Sequence, residues 1–208
     1  MQHIEPNVKR IRGARTRATQ RKIVNAATDL FITQGYHATT LEQIAVRAGV
    51  AVQTVYFHFG NKRSVLKQAV DMAAVGDDEA VAMLDRPWLE EARAEPDPRR
   101  VLELWTGNGR GILTRVGPIM KVVQEAAVVD PEMAEQWATN EAQTAAAFRV
   151  LAEQLDTMNA LRRPVEEATD ILCAISGVRM YLVLADRGWS AEQWERFVAD
   201  TLAHALLC

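Results

Sequence analysis

The sequence predicts an all-helical protein, and three observations carry that prediction. Residues 40–62, TLEQIAVRAGVAVQTVYFHFGNK, read as two short helices joined at a glycine. Beyond Lys62, apolar residues recur at helical spacing between proline and glycine breaks, with no competing strand alternation. The chain closes on a long apolar stretch, residues 171–185, and a one-sided stripe of Trp194, Phe197, Val198, Thr201, Leu202 and Ala205.

A first helix carries Ile23, Ala27, Leu30 and Phe31 at helical spacing. The basic arm before Thr19 has little apolar surface and is expected to be unstructured until it meets a polyanion. The next helix starts at one of two overlapping capping boxes, Thr40 with Gln43 or Thr39 with Glu42; in either, side chains would satisfy amides that have no helical partner. Leu41, Ile44, Ala45 and Ala48 follow at helical spacing, and Gly49 stands where a helix ends with positive φ, a conformation a residue without Cβ adopts freely. In the following helix Ala51, Val55 and Phe59 fall on one face, so Gln53 and Phe57 point roughly the opposite way, flanked by Tyr56 and His58.

An outer face of Gln, Thr, Tyr, Phe and His is unusual where only solubility is needed, since Lys and Glu would serve better. It suits a DNA groove. A glutamine amide can pair with adenine at two atoms, Thr and Val methyls can touch the thymine methyl, and Tyr or His can donate to phosphate oxygens. The charge distribution agrees. Residues 1–70 hold eleven Lys and Arg against three acids, a net +8, which leaves −11 for the rest of a chain whose total is −3. A basic head on an acidic body is expected when one end meets a polyanion. An anionic membrane is a poorer match, because residues 9–17 lack the Trp, Phe and Leu face of an interfacial helix.

From about Thr19 to Val70 the chain resembles the TetR family of bacterial transcriptional repressors. The matching features are the first-helix apolar residues, Gly35-Tyr36, Thr39-Thr40, Ile44-Ala45, Ala48-Gly49-Val50, and Thr54 to Phe59 followed by Asn61-Lys62. The resemblance implies a three-helix DNA-binding head with a helix-turn-helix, taken here as residues 1–61 with the basic arm. A larger helical ligand-binding and dimerisation domain, residues 62–208, would follow. It further implies that Thr40, Tyr56, His58 and Lys62 meet phosphates, that Val52, Gln53 and Thr54 read bases, and that Glu42 stands where some relatives read a base. One departure concerns the recognition helix: Ala51 occupies a cap position that often holds serine in the family, which weakens the cap by about 0.5–2 kcal/mol.

The body is expected to hold helices over about 62–84, 98–115, 118–128, 131–155, 164–186 and 190–206, with residues 90–98 as an exposed connection. Residues 171–185 are too apolar to cover easily within one small domain. The family resemblance turns this into a homodimer interface over residues 164–206. An unknown, mostly apolar small-molecule effector is expected among Trp105, Met120, Val123, Gln124, Trp137, Phe148 and Tyr181, releasing double-stranded DNA from an inverted-repeat operator. Gly107, Gly109, Gly111 and Gly117 each cost a helix roughly 0.5–1 kcal/mol relative to alanine, so they serve either close packing or mobility.

No cofactor is expected, and the evidence for an enzyme is thin. His3, His37, His58 and His204 are scattered, Cys173 and Cys208 make no metal or redox spacing, and residues 107–111 lack the phosphate-loop pattern. A helical adaptor that binds a protein through residues 171–185 is the alternative, but it would not need +8 around a helix-turn-helix. No run reaches the roughly 18 uninterrupted apolar residues of a membrane span and no signal segment is apparent, so a cytoplasmic location is expected.

Overall fold

The computed structural model describes residues 6–75 and 87–208. Among these residues there are ten helices: α1 Pro6–Gln34, α2 Leu41–Ala48, α3 Val52–Phe59, α4 Lys62–Val75, α5 Pro87–Ala94, α6 Pro98–Ala127, α7 Pro131–Thr157, α8 Val165–Ser176, α9 Val178–Asp186 and α10 Ala191–Leu206. The fold is all-α. Among the described residues, β pairing is confined to one isolated bridge, Leu161 with Leu207, which ties the C-terminus to the turn after α7. Contacts group residues up to Asp71 into one compact unit and residues from Met72 into a second.

In the first unit the apolar row of α1 is buried at Ile23, Val24, Ala27 and Phe31, against Leu41, Ile44 and Ala45 of α2 and Val55 of α3. Val65, Leu66, Ala69 and Val70 of α4 are also buried. The basic stretch expected to be unstructured is helical from Pro6, because its Arg, Lys and Ala residues favour a helix and nothing before Gly35 stops it.

The second unit differs from expectation in three places. Pro118 does not end a helix: α6 runs through it from Pro98 to Ala127, although proline removes one backbone hydrogen bond there. Residues 87–94, read partly as a connection, form α5, with Leu89 and Ala92 buried. The helix expected over 62–84 is described only to Val75; the rest lies outside the described residues.

The third difference is a break at Gly177, which divides the expected helix 164–186 into α8 and α9. Gly177 is extended (φ −70°, ψ 161°), and a Cβ there would lie 2.4 Å from the Cys173 carbonyl oxygen, so a side chain cannot be accommodated without moving backbone. Residues 165–186 are, by length and composition, apolar enough to cross a membrane, although no uninterrupted apolar run is that long. In lipid the break would leave backbone groups unpaired.

Around the body core, α6 runs beside α7, α7 beside α8, and α10 beside α6. Leu102, Val123, Leu151, Leu155, Leu172, Trp194, Val198 and Leu202 are fully buried there. Gly117 is a packing glycine: a Cβ would approach Tyr181 Cε1 to 2.9 Å.

Candidate nucleic-acid interface

Thr40 is the N-cap of α2, and its capping box is complete. Its hydroxyl accepts from Gln43 N–H at 3.2 Å, while Thr40 N–H donates to Gln43 Oε1 at 2.9 Å. The hydroxyl therefore keeps its proton for an outside acceptor. The other possible box does not form. Thr39 is fully buried, and its hydroxyl donates to the Gly35 carbonyl at 2.8 Å and accepts from Gln34 Nε2 at 3.2 Å. Gly49 then turns the chain in the left-handed region (φ 67°, ψ 39°), and Val50 N–H closes the turn on the Ala45 carbonyl at 3.0 Å.

Helix α3 starts without a side-chain cap, as an alanine there requires. Ala51 is exposed rather than on the inner face, because it precedes the helix with an extended backbone (φ −70°, ψ 145°). Val55 alone of the expected inner row is fully buried, with Phe59 half-buried. The outer face holds Gln53, exposed, and Phe57, 84% exposed, with Tyr56 at 49%. Val52, Thr54 and His58 are half-buried at its margins. Glu42 is exposed on α2, one turn before Val46, which is 81% exposed. Phe57 and Val46 were not among the expected contacts. The signal for Phe57 lay in its spacing, one helical turn from Gln53.

Gly60 ends α3 with positive φ (73°), and Asn61 caps α4 by accepting from Ser64 N–H at 2.8 Å. Lys62 is spoken for within the head. Its ammonium donates to the carbonyls of Tyr36 (2.7 Å) and Thr39 (2.8 Å), reaches toward that of His37 (3.5 Å), and lies 4.3 Å from the Tyr36 ring centroid. It clasps the loop that carries Thr40.

In the body, Trp105 and Phe148 line a cavity between α6, α7, α8 and α10. Met120, Val123 and Trp137 are buried, Gln124 is half-buried, and none of the three helps line that cavity, nor does Gln124. Tyr181 also lies outside its lining and stands edge-on to Trp194, with ring centroids 5.7 Å apart. The Arg179 guanidinium lies 5.0 Å from the Trp137 ring centroid and holds both Glu141 carboxylate oxygens. That contact keeps the Glu141 carboxyl below its ordinary range, against the opposing effect of burial.

Residues 23–69, which span α1 to α4, match the family model of bacterial regulatory proteins, tetR family. The head is similar to that of TetR-family regulators. An HTH-type transcriptional regulator from Streptomyces glaucescens, TcmR, is 29% identical over 111 residues, 53% of this chain and 44% of its own length. TtgW, an HTH-type transcriptional regulator from Pseudomonas putida, is 43% identical over 54 residues, 26% of this chain and 40% of its own length. The chain thus spans less than half the length of these curated relatives. Among solved structures, a TetR-family regulator from Syntrophomonas wolfei superposes with a TM-score of 0.73 at 18% identity, covering 92% of this chain and 97% of that one. NalD of Pseudomonas aeruginosa, a repressor of a multidrug efflux pump, gives a TM-score of 0.66 at 22% identity, covering 92% and 98%. At these identities the likeness concerns the fold, which extends the TetR architecture from the head to the helical body.

Proposed function

We propose that the protein is a homodimeric DNA-binding transcriptional regulator, most simply a repressor, released from an inverted-repeat operator by a small molecule, and acting in the cytoplasm. The observation that carries this reading is the outer face of α3. Gln53, Tyr56 and Phe57 are exposed together beyond a tight glycine turn, within residues 1–70 of net charge +8. Gln53 with the flanking Val52 and Thr54 would read base edges in the major groove, while Thr40, Tyr56 and His58 would hold phosphates; Glu42 on α2 would lie beside them. Lys62 would act through the loop it clasps as well as through its charge.

A second subunit would cover apolar groups that one chain leaves in water. Val183 is 52% exposed, and Trp189 and Phe197 are 37% and 40% exposed and stacked edge-on with ring centroids 5.4 Å apart. The dimer surface would then lie on α9 and on the outer side of α10. Val198, Trp194 and Leu202 of the α10 stripe are buried within the subunit and take no part in it. An effector in the body can change operator affinity only through different affinities for two arrangements of the dimer.

The test is a titration of the full chain against DNA fragments from upstream of its own coding region at several salt concentrations. A specific fragment should bind tightly, with log affinity falling linearly in log salt. Sequence-independent or salt-flat binding overturns the reading. Within it, Gln53→Ala should relax base preference by about 1–3 kcal/mol.

A further inference from the structure

The cavity between α6, α7, α8 and α10 has a lining that asks for a ligand of definite chemistry. Its volume is about 30 Å³, and it is lined by Leu102, Leu151, Leu172 and Leu202 with Trp105, Phe148, Trp194, Thr106, Gly109 and Ser176. No charged side chain lines it. Three polar atoms of this lining are buried without a hydrogen-bond partner: Trp105 Nε1, Trp194 Nε1 and Ser176 Oγ. The three side chains are 8%, 1% and 7% exposed. Buried polar groups are ordinarily paired, and two indole N–H donors have no alternative role as acceptors.

Internal partners do not account for them. Thr106, the fourth polar residue of the lining, donates its hydroxyl to the Leu102 carbonyl at 2.9 Å, and neither indole N–H reaches its oxygen. Trp105 stands edge-on to Trp88 and Trp194 edge-on to Tyr181, and such ring contacts are second-order beside an oxygen acceptor. From this coincidence of two orphaned donors and a hydroxyl in one apolar cavity, we infer that the effector is a neutral, largely apolar molecule carrying a hydrogen-bond acceptor such as a carbonyl or ether oxygen. That oxygen takes the N–H groups of Trp105 and Trp194, while Ser176 serves as a further donor. A charged effector is excluded by the lining, since its charge would be buried unpaired. The cavity as it stands has room for about two waters. A ligand therefore seats its oxygen-bearing end there and widens the site along α6, where Gly109 presents bare backbone and Gly107 and Gly111 lower helical stiffness.

This inference rests on the ligand-responsive reading above, and its test uses no DNA, so the two can fail separately. The full chain, labelled with ¹⁵N at its five tryptophans, is titrated with cyclohexanone and with methylenecyclohexane, which share a shape and differ in the acceptor. Binding of the ketone should be at least about tenfold tighter, the effect of one or two net hydrogen bonds. It should move the indole N–H signals of Trp105 and Trp194 while leaving that of Trp189 in place. Ser176→Ala should lower ketone affinity while leaving stability equal or higher, since it deletes an unpaired hydroxyl. Equal affinity for ketone and hydrocarbon overturns the inference. So does a ketone that leaves both indole signals unmoved.

Discussion

Replacing Lys62 by methionine separates two roles for one ammonium. Methionine keeps most of the apolar stem, so the loss falls on the bonds to the Tyr36 and Thr39 carbonyls at 2.7 and 2.8 Å and on the contact with the Tyr36 ring. A hydrogen bond to a charged group contributes about 1.5–3 kcal/mol and a solvent-accessible cation–π contact about 0.5–1 kcal/mol. Lys62 is half-exposed, which favours the lower figures and gives about 2–4 kcal/mol in all. For a unit of this size each kcal/mol corresponds to about 4–8 °C, so the head should melt at least about 8 °C lower. The sequence supplies a clean assay, because all five tryptophans lie at position 88 or beyond. Trp fluorescence therefore follows the body alone, whereas far-UV circular dichroism follows both units. In Lys62→Met the dichroism should gain an early transition while the fluorescence midpoint stays in place. Unchanged melting combined with weaker operator binding, and a salt slope lower by about one, would refute the clasp and leave Lys62 as a phosphate contact.

Three further outcomes follow from the same geometry. Ala51→Ser should supply the missing cap of α3 and stabilise the head by about 1 kcal/mol, read as a later dichroism transition. Phe197→Glu should give a folded monomer by light scattering, whereas Val198→Glu, one residue on, should unfold the body because Val198 is fully buried. Glu141 is held ionised by Arg179, so its contribution is present above the ordinary carboxyl value of 4.5 and is lost as pH falls through its lower folded value. Both partners are exposed, so Glu141→Gln should remove less than about 1 kcal/mol at neutral pH and flatten that part of the acid melting profile.

Most of the head was legible because its signals are local. A capping box, a left-handed glycine and a three-to-four-residue apolar period act within a few residues, and α2, the Gly49 turn and α3 appear where they were expected. What failed was the choice between near-equivalent local options. Thr39 and Thr40 offered the same box, and only the buried bond from Gln34 to Thr39 decides between them. The body was harder for a physical reason. Pro118 sits in a helix long enough to lose one bond and continue, and the break at Gly177 needs the bare backbone of a glycine against a carbonyl one turn away, a requirement set by tertiary geometry. The apolar stripe of α10 also could not reveal which of its members face inward, since Phe197 and Val198 are equally apolar and differ only in what lies opposite. The loop-clasping role of Lys62 leaves no trace in sequence, because its partners are backbone carbonyls.

The interruption at Gly177 also resets the phase of the helix. In an unbroken helix residues 176 and 183 would point within about 20° of each other, and 182 would lie on the far side. The structure has the reverse: Ser176 and Leu182 are buried while Val183 is 52% exposed. One extended residue thus decides which aliphatic side chains of α9 belong to the interior and which to the outside. A single-residue insertion or deletion beside Gly177 would rotate α9 by about 100° and exchange the two sets without altering composition. Among related chains, then, length changes at this point would redraw the outer apolar surface more drastically than any substitution on it, giving otherwise similar bodies a means of ceasing to recognise one another.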